Sequence, residues 1–337
     1  MLDAQKEVAT AKEGALPAVV VDLRSTTIES AAAQAAMQPW VVMECYQLSR
    51  GKRLSQMDSL DLGRLQIVRE YQFAAVQKLG ITPADFCTVS YCTQDPAFRL
   101  SDHASDSADS VFFIPERTEF DIHVPAGTQT TYVNFSQSEF VAAAQALNPG
   151  AWEHPSRRAS QFQSTQLAEL KTVLGCCIGT AEAAAKRGET LDPTIMQGIV
   201  LQTALRIAAA GSGDGTISLP LAARSRALRT CRLARDFVEE QLAGHVVPTV
   251  VDICMSLAVS ERALLYAFHD YVGMSPQAYL RRCRLNQVRA TLLANGPQDT
   301  TVTQVAMQFG FLHLGRFAGD YKQIFEESPG ATLTRRM

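Results

Sequence analysis

Charged residues are sparse in this sequence, and long apolar runs are absent. Only 19% of the 337 residues are charged whereas 47% are hydrophobic, which is typical of a packed globular chain and excludes extensive disorder. No stretch of about 18 uncharged apolar residues occurs that could cross a bilayer. The start of the chain, MLDAQKEVATAKEG, has no apolar run of the kind found in signal peptides. We therefore expect a cytoplasmic protein without membrane contact.

Patterns that carry metal or covalent chemistry are also missing. The eight cysteines include no CxxC pair, which favours ordinary reduced thiols over a zinc or redox site. The histidines His103, His123 and His154 are too widely spaced for a cluster of metal ligands. No Gly-rich phosphate loop, Ser-His-Asp arrangement or pair of catalytic carboxylates is visible. The sequence therefore predicts no metal, no cofactor and no enzymatic activity.

The net charge of −3 conceals a division along the chain. Residues 224–337 contain 14 Lys and Arg against 10 Asp and Glu, a net of +4, whereas residues 1–223 contain 17 against 24, a net of −7. A basic C-terminal part can approach a polyanion such as DNA more readily than the acidic part before it. The length of the chain also favours two domains over a single core.

Short segments with strand-like alternation fill the first part of the chain. They are rich in β-branched and aromatic residues, are separated by Gly, Pro, Asp and Ser turns, and occupy residues 40–48, 63–71, 86–92, 110–115, 120–124 and 130–135. Regular short strands of this kind indicate a barrel or jelly roll, which can enclose a small cavity. We place this β domain in residues 1–160.

Helical periodicity replaces the strand pattern after Pro155. Apolar residues recur at helical spacing over residues 164–187 and 193–209, and the second helix is apolar on more than one face. Residues 161–210 are therefore predicted to be a helical dimerisation segment, in which Ile195, Ile199 and Leu205 face a second copy. The Gly-rich stretch that follows predicts a flexible linker over residues 211–223.

Two helix-turn-helix units are predicted within residues 224–337, at 249–271 and 302–325. In the first, a short helix from Val250 is followed by a three-residue turn, and Ser260 is placed to cap the next helix. In the second, Gly310 marks a position between helices that needs a positive φ. A long helix from Pro276 connects the units. The repetition of one arrangement about 50 residues apart favours DNA binding.

These residues resemble the signature of the AraC/XylS family of transcription regulators. The likeness covers roughly residues 230–335 and runs, in order and spacing, through Ser260, Arg262, Leu264, Phe268, Gly273, Ser275-Pro276, Tyr279-Leu280, Arg284-Leu285, Val305-Ala306, Gly310-Phe311, Phe317, Tyr321-Lys322, Phe325 and Ser328-Pro329. One departure is Glu326, where the family commonly has Gly. The resemblance implies an activator-type regulator whose partners are promoter DNA, RNA polymerase and a second copy of the chain. No residue of the sequence itself decides between activation and repression.

The same resemblance implies where DNA would be contacted. The exposed first turns of the two recognition helices are expected to meet it, and their residues are Glu261, Arg262, Leu265 and Tyr266 in the first and Leu314, Gly315, Arg316 and Gly319 in the second. Arg262 is the candidate for reading guanine, because a guanidinium can bind this base bidentately. The second set offers few hydrogen bonds, so we expect it to act more through phosphate contacts and DNA shape.

Regulators of this family and length usually join a cupin-like sensing domain to the DNA-binding part. The expected fold class is therefore α+β, with an N-terminal cupin-like β-barrel, a helical dimerisation segment and an all-α C-terminal domain. A small-molecule effector would bind in the barrel, and the candidate lining residues are Trp40, Tyr46, Glu70, Tyr71, Tyr91 and Arg99. An alternative is an alkyl-acceptor DNA repair enzyme fused to the same DNA-binding module, but the chain lacks the Pro-Cys-His-Arg site of those proteins.

Overall fold

The structure, a computed structural model, describes residues 21–38, 41–105, 107–210, 219–244 and 246–335, without the side chains of residues 219–222. Its strands lie in the first half of the chain. They are β1 (Asp22–Ile28), β2 (Val42–Gln47), β3 (Ser55–Asp61), β4 (Gln66–Gln72), β5 (Val76–Ile81), β6 (Cys87–Cys92), β7 (Arg99–Leu100), β8 (His103–Ala104), β9 (Ser110–Ile114), β10 (Glu119–Val124), β11 (Gln129–Phe135) and β12 (Ser160–Gln163).

Helices dominate the second half. They are α1 (Ala31–Ala36), α2 (Gln137–Leu147), α3 (Pro149–Trp152), α4 (Leu167–Arg187), α5 (Pro193–Ala210), α6 (Leu219–Ala243), α7 (Val250–Leu257), α8 (Glu261–Val272), α9 (Pro276–Ala294), α10 (Val302–Gln308), α11 (Leu314–Phe325) and α12 (Pro329–Thr334). The predicted linker lies partly outside the described residues. Its last part, residues 219–223, instead begins α6, with Pro220 in the first turn, where a missing N–H costs no helical hydrogen bond.

Two antiparallel sheets build the N-terminal domain. The seven-stranded sheet has the order β1-β3-β4-β11-β6-β9-β12 and the five-stranded sheet the order β2-β5-β10-β7-β8. Among the described strands these sheets do not close on each other, so the cupin-like barrel is not confirmed and the domain is an open sandwich. Barrels and sandwiches bury the same alternate side chains, so the pattern that predicts strands does not decide closure.

Alternation along the strands divides the molecule into layers. Between the sheets lies a core that contains Met57, Val68, Val76 and Phe112. The outer face of the seven-stranded sheet packs on α2, α4 and α5 through a second core, whose residues include Ile67, Val89, Val133, Phe140, Leu174 and Val200. No described helix is long and apolar enough to cross a membrane.

Helices α4 and α5 confirm the two helices predicted after Pro155. Leu205 is buried inside the domain, whereas Ile195 and Ile199 are 69% and 47% exposed. Packing within the chain therefore buries Leu205, one of the three residues that were expected to face a second copy, and leaves the other two exposed.

Helices α6, α8 and α9 cover the outer face of the five-stranded sheet. Tyr46, Leu48 and Leu79 share one core with residues of α6, α8 and α9, among them Ala234, Val238, Phe268, Tyr279 and Cys283. At the edge of the same sheet, the Gln47 N–H donates to Asn286 Oδ1 and the Gln47 carbonyl accepts from Asn286 Nδ2, both at 2.9 Å. Edge-strand backbone groups need such partners when they are buried. This contact fixes α9 against the sheet.

A buried carboxyl group lies in this interface. Asp121, on β10, is 2% exposed and accepts hydrogen bonds from Gln77 Nε2 at 2.8 and 2.9 Å. Tyr279 of α9 donates to Gln77 Oε1 at 2.5 Å, which links the carboxyl group to the helices. Desolvation raises the pKa of Asp121 to about 6, although Gln77 and Arg235 oppose the shift.

Replacement of Asp121 by Asn tests this assignment. Because the pKa rises from 3.8 to about 6 on folding, the native chain holds this proton more tightly than the unfolded chain does. The contribution of Asp121 to the free energy of unfolding is thus complete below pH 3.8 and is lost as the pH rises through 6. As the pH rises from 4.5 to 7.5, the free energy of unfolding of Asp121→Asn should therefore increase relative to that of wild type by about 2 to 3 kcal/mol. Urea unfolding measures this difference. Asp109→Asn, at an exposed site, is the control, and a difference independent of pH would contradict the assignment.

Candidate nucleic-acid interface

The first helix-turn-helix unit consists of α7, a turn at residues 258–260, and α8. A capping box opens α7: Thr249 Oγ1 accepts from the Asp252 N–H at 3.2 Å, and Asp252 Oδ2 accepts from the Thr249 N–H at 2.7 Å. The hydrogen bonds that the Asp252 carboxylate accepts from the Thr249 N–H and the Thr249 hydroxyl lower the pKa of this carboxyl group. Ala258 ends α7 at a φ of 52°, and Ser260 accepts from the Ala263 N–H at 3.2 Å. The predicted cap at Ser260 is confirmed.

The second unit repeats this construction with α10 and α11. Thr301 and Gln304 form a second capping box. Gly310 has a φ of 74°, which confirms the predicted positive φ. The residue before α11, His313, makes no side-chain capping hydrogen bond. The first N–H groups of α11 therefore lack the side-chain partner that Ser260 gives α8.

Arg262 is held in place on the exposed side of α8. Its guanidinium lies 5.3 Å from the centroid of the Tyr266 ring, and Nη2 and Nε donate to the Tyr266 hydroxyl at 3.1 and 3.3 Å. Among the described residues it has no carboxylate partner. The neighbouring predicted residues Glu261, Leu265 and Tyr266 are also exposed. The four candidates of this helix therefore form one accessible surface.

The candidates of α11 are less uniform. Arg316 is exposed and has no ion pair among the described residues. Gly315 and Gly319 are exposed as well, and an added Cβ at either position would meet no atom within 4 Å. Leu314 differs, because it is only partly exposed and packs against the core of the second unit. The backbone of this helix can thus approach a ligand closely.

The arginines of α9 have partners within the protein. The sequence leaves Arg281, Arg282, Arg284 and Arg289 as either a solvated cationic face or phosphate contacts. In the structure Arg281 pairs with Asp320, Arg282 donates to the Leu48 carbonyl at 2.9 Å, and Arg284 lies over the Phe311 ring. Arg289 is 2% exposed and pairs with Glu327 at 2.9 Å. Each of these four cations therefore has a partner within the protein, and Arg289 is also buried.

The candidates for an effector site are dispersed. Trp40 lies outside the described residues. Glu70 and Tyr91 line one cavity between the sheets, whereas Tyr46 is in the domain interface, where its hydroxyl lies 2.8 Å from carboxylate oxygens of Glu44 and Glu239. Tyr71 is exposed and stacks edge-on with Phe73, and Arg99 donates to the Phe98 carbonyl at 2.8 Å. The structure therefore brings together two of the six.

Sequence reasoning missed the buried lysine, Lys78, that distinguishes this cavity. Its lining includes Lys78, which forms a buried ion pair with Glu70, and Gln38, whose amide donates to the Tyr132 hydroxyl at 2.5 Å. Lys78 lies in β5, outside every segment that was predicted as a strand, so the sequence carried no signal of this buried pair. No group of three or more described His, Cys, Asp or Glu could hold a metal ion.

Gly310 provides a stability test of the second unit. A Cβ at this position would lie 2.1 Å from Val247 Cγ2, and its φ of 74° disfavours any side chain. Gly310→Ala should therefore lower the free energy of unfolding by roughly 2 to 3 kcal/mol. Gly319→Ala, in the helix and in open space, should instead stabilise the protein by up to about 1 kcal/mol. Equal thermal midpoints for the two variants would contradict this account of the turn.

Comparison with known proteins agrees with this geometry. A helix-turn-helix domain family matches residues 253–335. The chain is 38% identical over 102 residues to the probable thc operon regulatory protein of Rhodococcus erythropolis. This match covers 30% of this chain and 30% of that protein. It is 35% identical over 98 residues to the XylDLEGF operon transcriptional activator of Pseudomonas putida, covering 29% and 30%. The matches thus span about a third of the length of these curated relatives.

Among solved structures, that of the AraC-like transcriptional activator CuxR is similar over 79% of this chain and 94% of its own, with 17% identity and a TM-score of 0.39. That score is too low to establish a common fold. The assignment of a helix-turn-helix domain rests instead on the sequence matches and on the two helix pairs, α7–α8 and α10–α11. Residues 253–335 therefore carry a helix-turn-helix domain that is similar to the matching parts of these regulators.

Proposed function

We propose that this protein is a transcription regulator that binds promoter DNA with both helix-turn-helix units and responds to a small molecule in its N-terminal domain. The observation that carries the proposal is the contrast between α9 and the recognition helices. The four α9 arginines each contact a partner within the protein, whereas Arg262 and Arg316 are exposed and without carboxylate partners among the described residues. The names of the relatives, an operon regulatory protein and a transcriptional activator, support activation as the direction of regulation.

The two units are proposed to divide the work. Tyr266 holds the Nε and Nη2 atoms of Arg262, which leaves the outer edge of the guanidinium to meet O6 and N7 of a guanine. The start of α11 supplies uncapped N–H groups, two exposed glycines and Arg316, a combination suited to a phosphate at a helix N-terminus. Joined by α9, the units would enter successive major-groove segments on one side of the duplex.

Alanine variants of the two arginines separate these roles. Arg262→Ala should weaken binding to the cognate duplex by about 1 to 3 kcal/mol and relax the preference at one base pair. Arg316→Ala should weaken specific and scrambled duplexes alike and reduce the slope of log affinity against log salt by about one. Arg64→Ala, at an exposed site in the N-terminal domain, is the control. If Arg262→Ala weakens both duplexes equally, the proposed division is wrong.

The cavity between the sheets is the proposed effector site. Its volume is about 90 Å³ and most of its lining is apolar, including Phe98, Leu100 and Phe120. Glu70 Oε1 has no hydrogen-bond partner there, although buried polar atoms are usually paired. A compact, mostly apolar molecule that carries a hydroxyl or amino group would satisfy this oxygen.

Filling the cavity tests the effector proposal. Ser90 lines it, so Ser90→Phe should abolish ligand binding, whereas Ser90→Ala should retain it. Against a panel of short-chain amines and alcohols, at least one member should raise the thermal midpoint of wild type and of Ser90→Ala, because a ligand that binds only the folded state stabilises it. An equal response of Ser90→Phe would exclude this cavity as the site.

A homodimer and RNA polymerase complete the proposed partners. Exposed Ile195 and Ile199 on α5 support self-association, because apolar helix faces are costly to leave in water. Sedimentation of the full chain at micromolar concentration, with and without DNA, measures it. RNA polymerase is inferred from the activator among the relatives.

The alternative of an alkyl-acceptor repair enzyme finds no support. Such chemistry needs a reactive thiolate, whereas burial raises the pKa of Cys45 and Cys283 to about 12 and that of Cys92 to about 11.

A further inference from the structure

A groove of about 720 Å³ separates the N-terminal domain from α6 of the DNA-binding domain. One wall consists of residues 101–103, 117–119 and 157–159, and the other of α6 residues between Ser225 and Asp236. Two contacts join the walls: Ser225 Oγ donates to Asp102 Oδ2 at 2.5 Å, and Arg232 pairs with Glu119. The groove is therefore a gap between the domains that these two contacts bridge.

The charges of this groove do not balance. Its three carboxylates all have partners, since Asp102 accepts from Ser225, Glu119 pairs with Arg232, and Asp236 pairs with Arg235. Four arginines have exposed side chains without a hydrogen-bond or ion-pair partner in the described part of the chain: Arg117, Arg157 and Arg158 on one wall and Arg229 on the other. Five arginines thus face three carboxylates, and the lining has an excess of two positive charges at a single concave site.

We propose that this groove binds a small anion that carries two or more phosphate groups. Guanidinium groups bind phosphate bidentately and with charge assistance, which makes arginine the residue suited to such ligands. Unpaired cations on both walls require anionic groups at both ends of the ligand. The volume is that of an ordinary ligand pocket. No Phe, Tyr or Trp lines the groove, and His103 is its one ring-bearing lining residue among those described, so the arginines and the phosphates account for most of the recognition.

Binding at this site would act on DNA recognition through α6. Residues Cys231, Ala234 and Val238 of this helix pack in the core that also contains Leu264 and Phe268 of α8. A polyanion that joins Arg117 to Arg229 would tie α6, and with it the first recognition helix, to the N-terminal domain. This control is separate from the cavity between the sheets, because the two sites share no lining residue.

Calorimetric titration of the full-length protein with inorganic tripolyphosphate tests the proposal. Saturable binding is expected at physiological ionic strength, and Arg117→Ala and Arg229→Ala should each weaken it roughly tenfold, the usual effect of one lost charged hydrogen bond. The matched control is Arg226→Ala, which removes an exposed arginine from the same helix but outside the groove, and should change affinity by less than about twofold. Circular dichroism verifies that each variant is folded.

Three results would overturn the proposal. The first is an absence of saturable binding to wild type. The second is an equal loss of affinity in Arg226→Ala, which would indicate a diffuse cationic surface. The third uses a DNA duplex in a salt series: if Arg229→Ala lowers the salt slope by about one but leaves tripolyphosphate affinity unchanged, the groove contacts the DNA backbone. Loss of tripolyphosphate binding with unchanged DNA affinity would still support the site.

Discussion

The backbone of Gln47 at the edge of the five-stranded sheet is the point on which the arrangement of the two halves depends. Its N–H and carbonyl are both satisfied by the Asn286 side chain, so a residue of α9 takes the place of a neighbouring strand. The loop that follows continues the contact: Leu48 accepts from Arg282, and Arg50 pairs with Glu326 beyond α11. Because α9 carries one helix-turn-helix unit at each end, this edge sets where both recognition helices stand.

The parts of the structure that were predictable from sequence are those fixed by local chemistry. Ser260 and Gly310 could be assigned because a side-chain cap and a positive φ each depend on one residue type. The six segments predicted as strands correspond to β2, β4, β6, β9, β10 and β11. Strands β1, β3 and β5 were missed. The first two are rich in polar residues, and β5 contains Lys78 and Gly80. Local periodicity shows neither the second sheet nor the ion pair of Lys78 with Glu70.

For the candidate functional residues too, the sequence predicts what depends on local helix geometry but not the contacts made in the tertiary structure. Exposure of Arg262 on α8 follows from helical periodicity, since Leu264 and Phe268 occupy the opposite face. The contacts of the α9 arginines cannot be predicted in this way, because their partners come from other elements. These partners include Asp320, Glu327 and the Leu48 carbonyl. The net charge of the C-terminal part therefore does not show which of its arginines have partners within the protein.

The end of α11 illustrates how far the two domains depend on each other. The Ile324 carbonyl is one of the last acceptors of this helix, which have no partner within it, and it receives the Gly51 N–H at 3.0 Å and Gln47 Nε2 at 3.3 Å. The helix is thus terminated by a loop almost three hundred residues earlier in the chain. Severing the chain between its halves would consequently do more than remove a sensor. It would leave the final turn of the second recognition helix free to fray, and amide hydrogens there would exchange with solvent as part of a smaller cooperative unit.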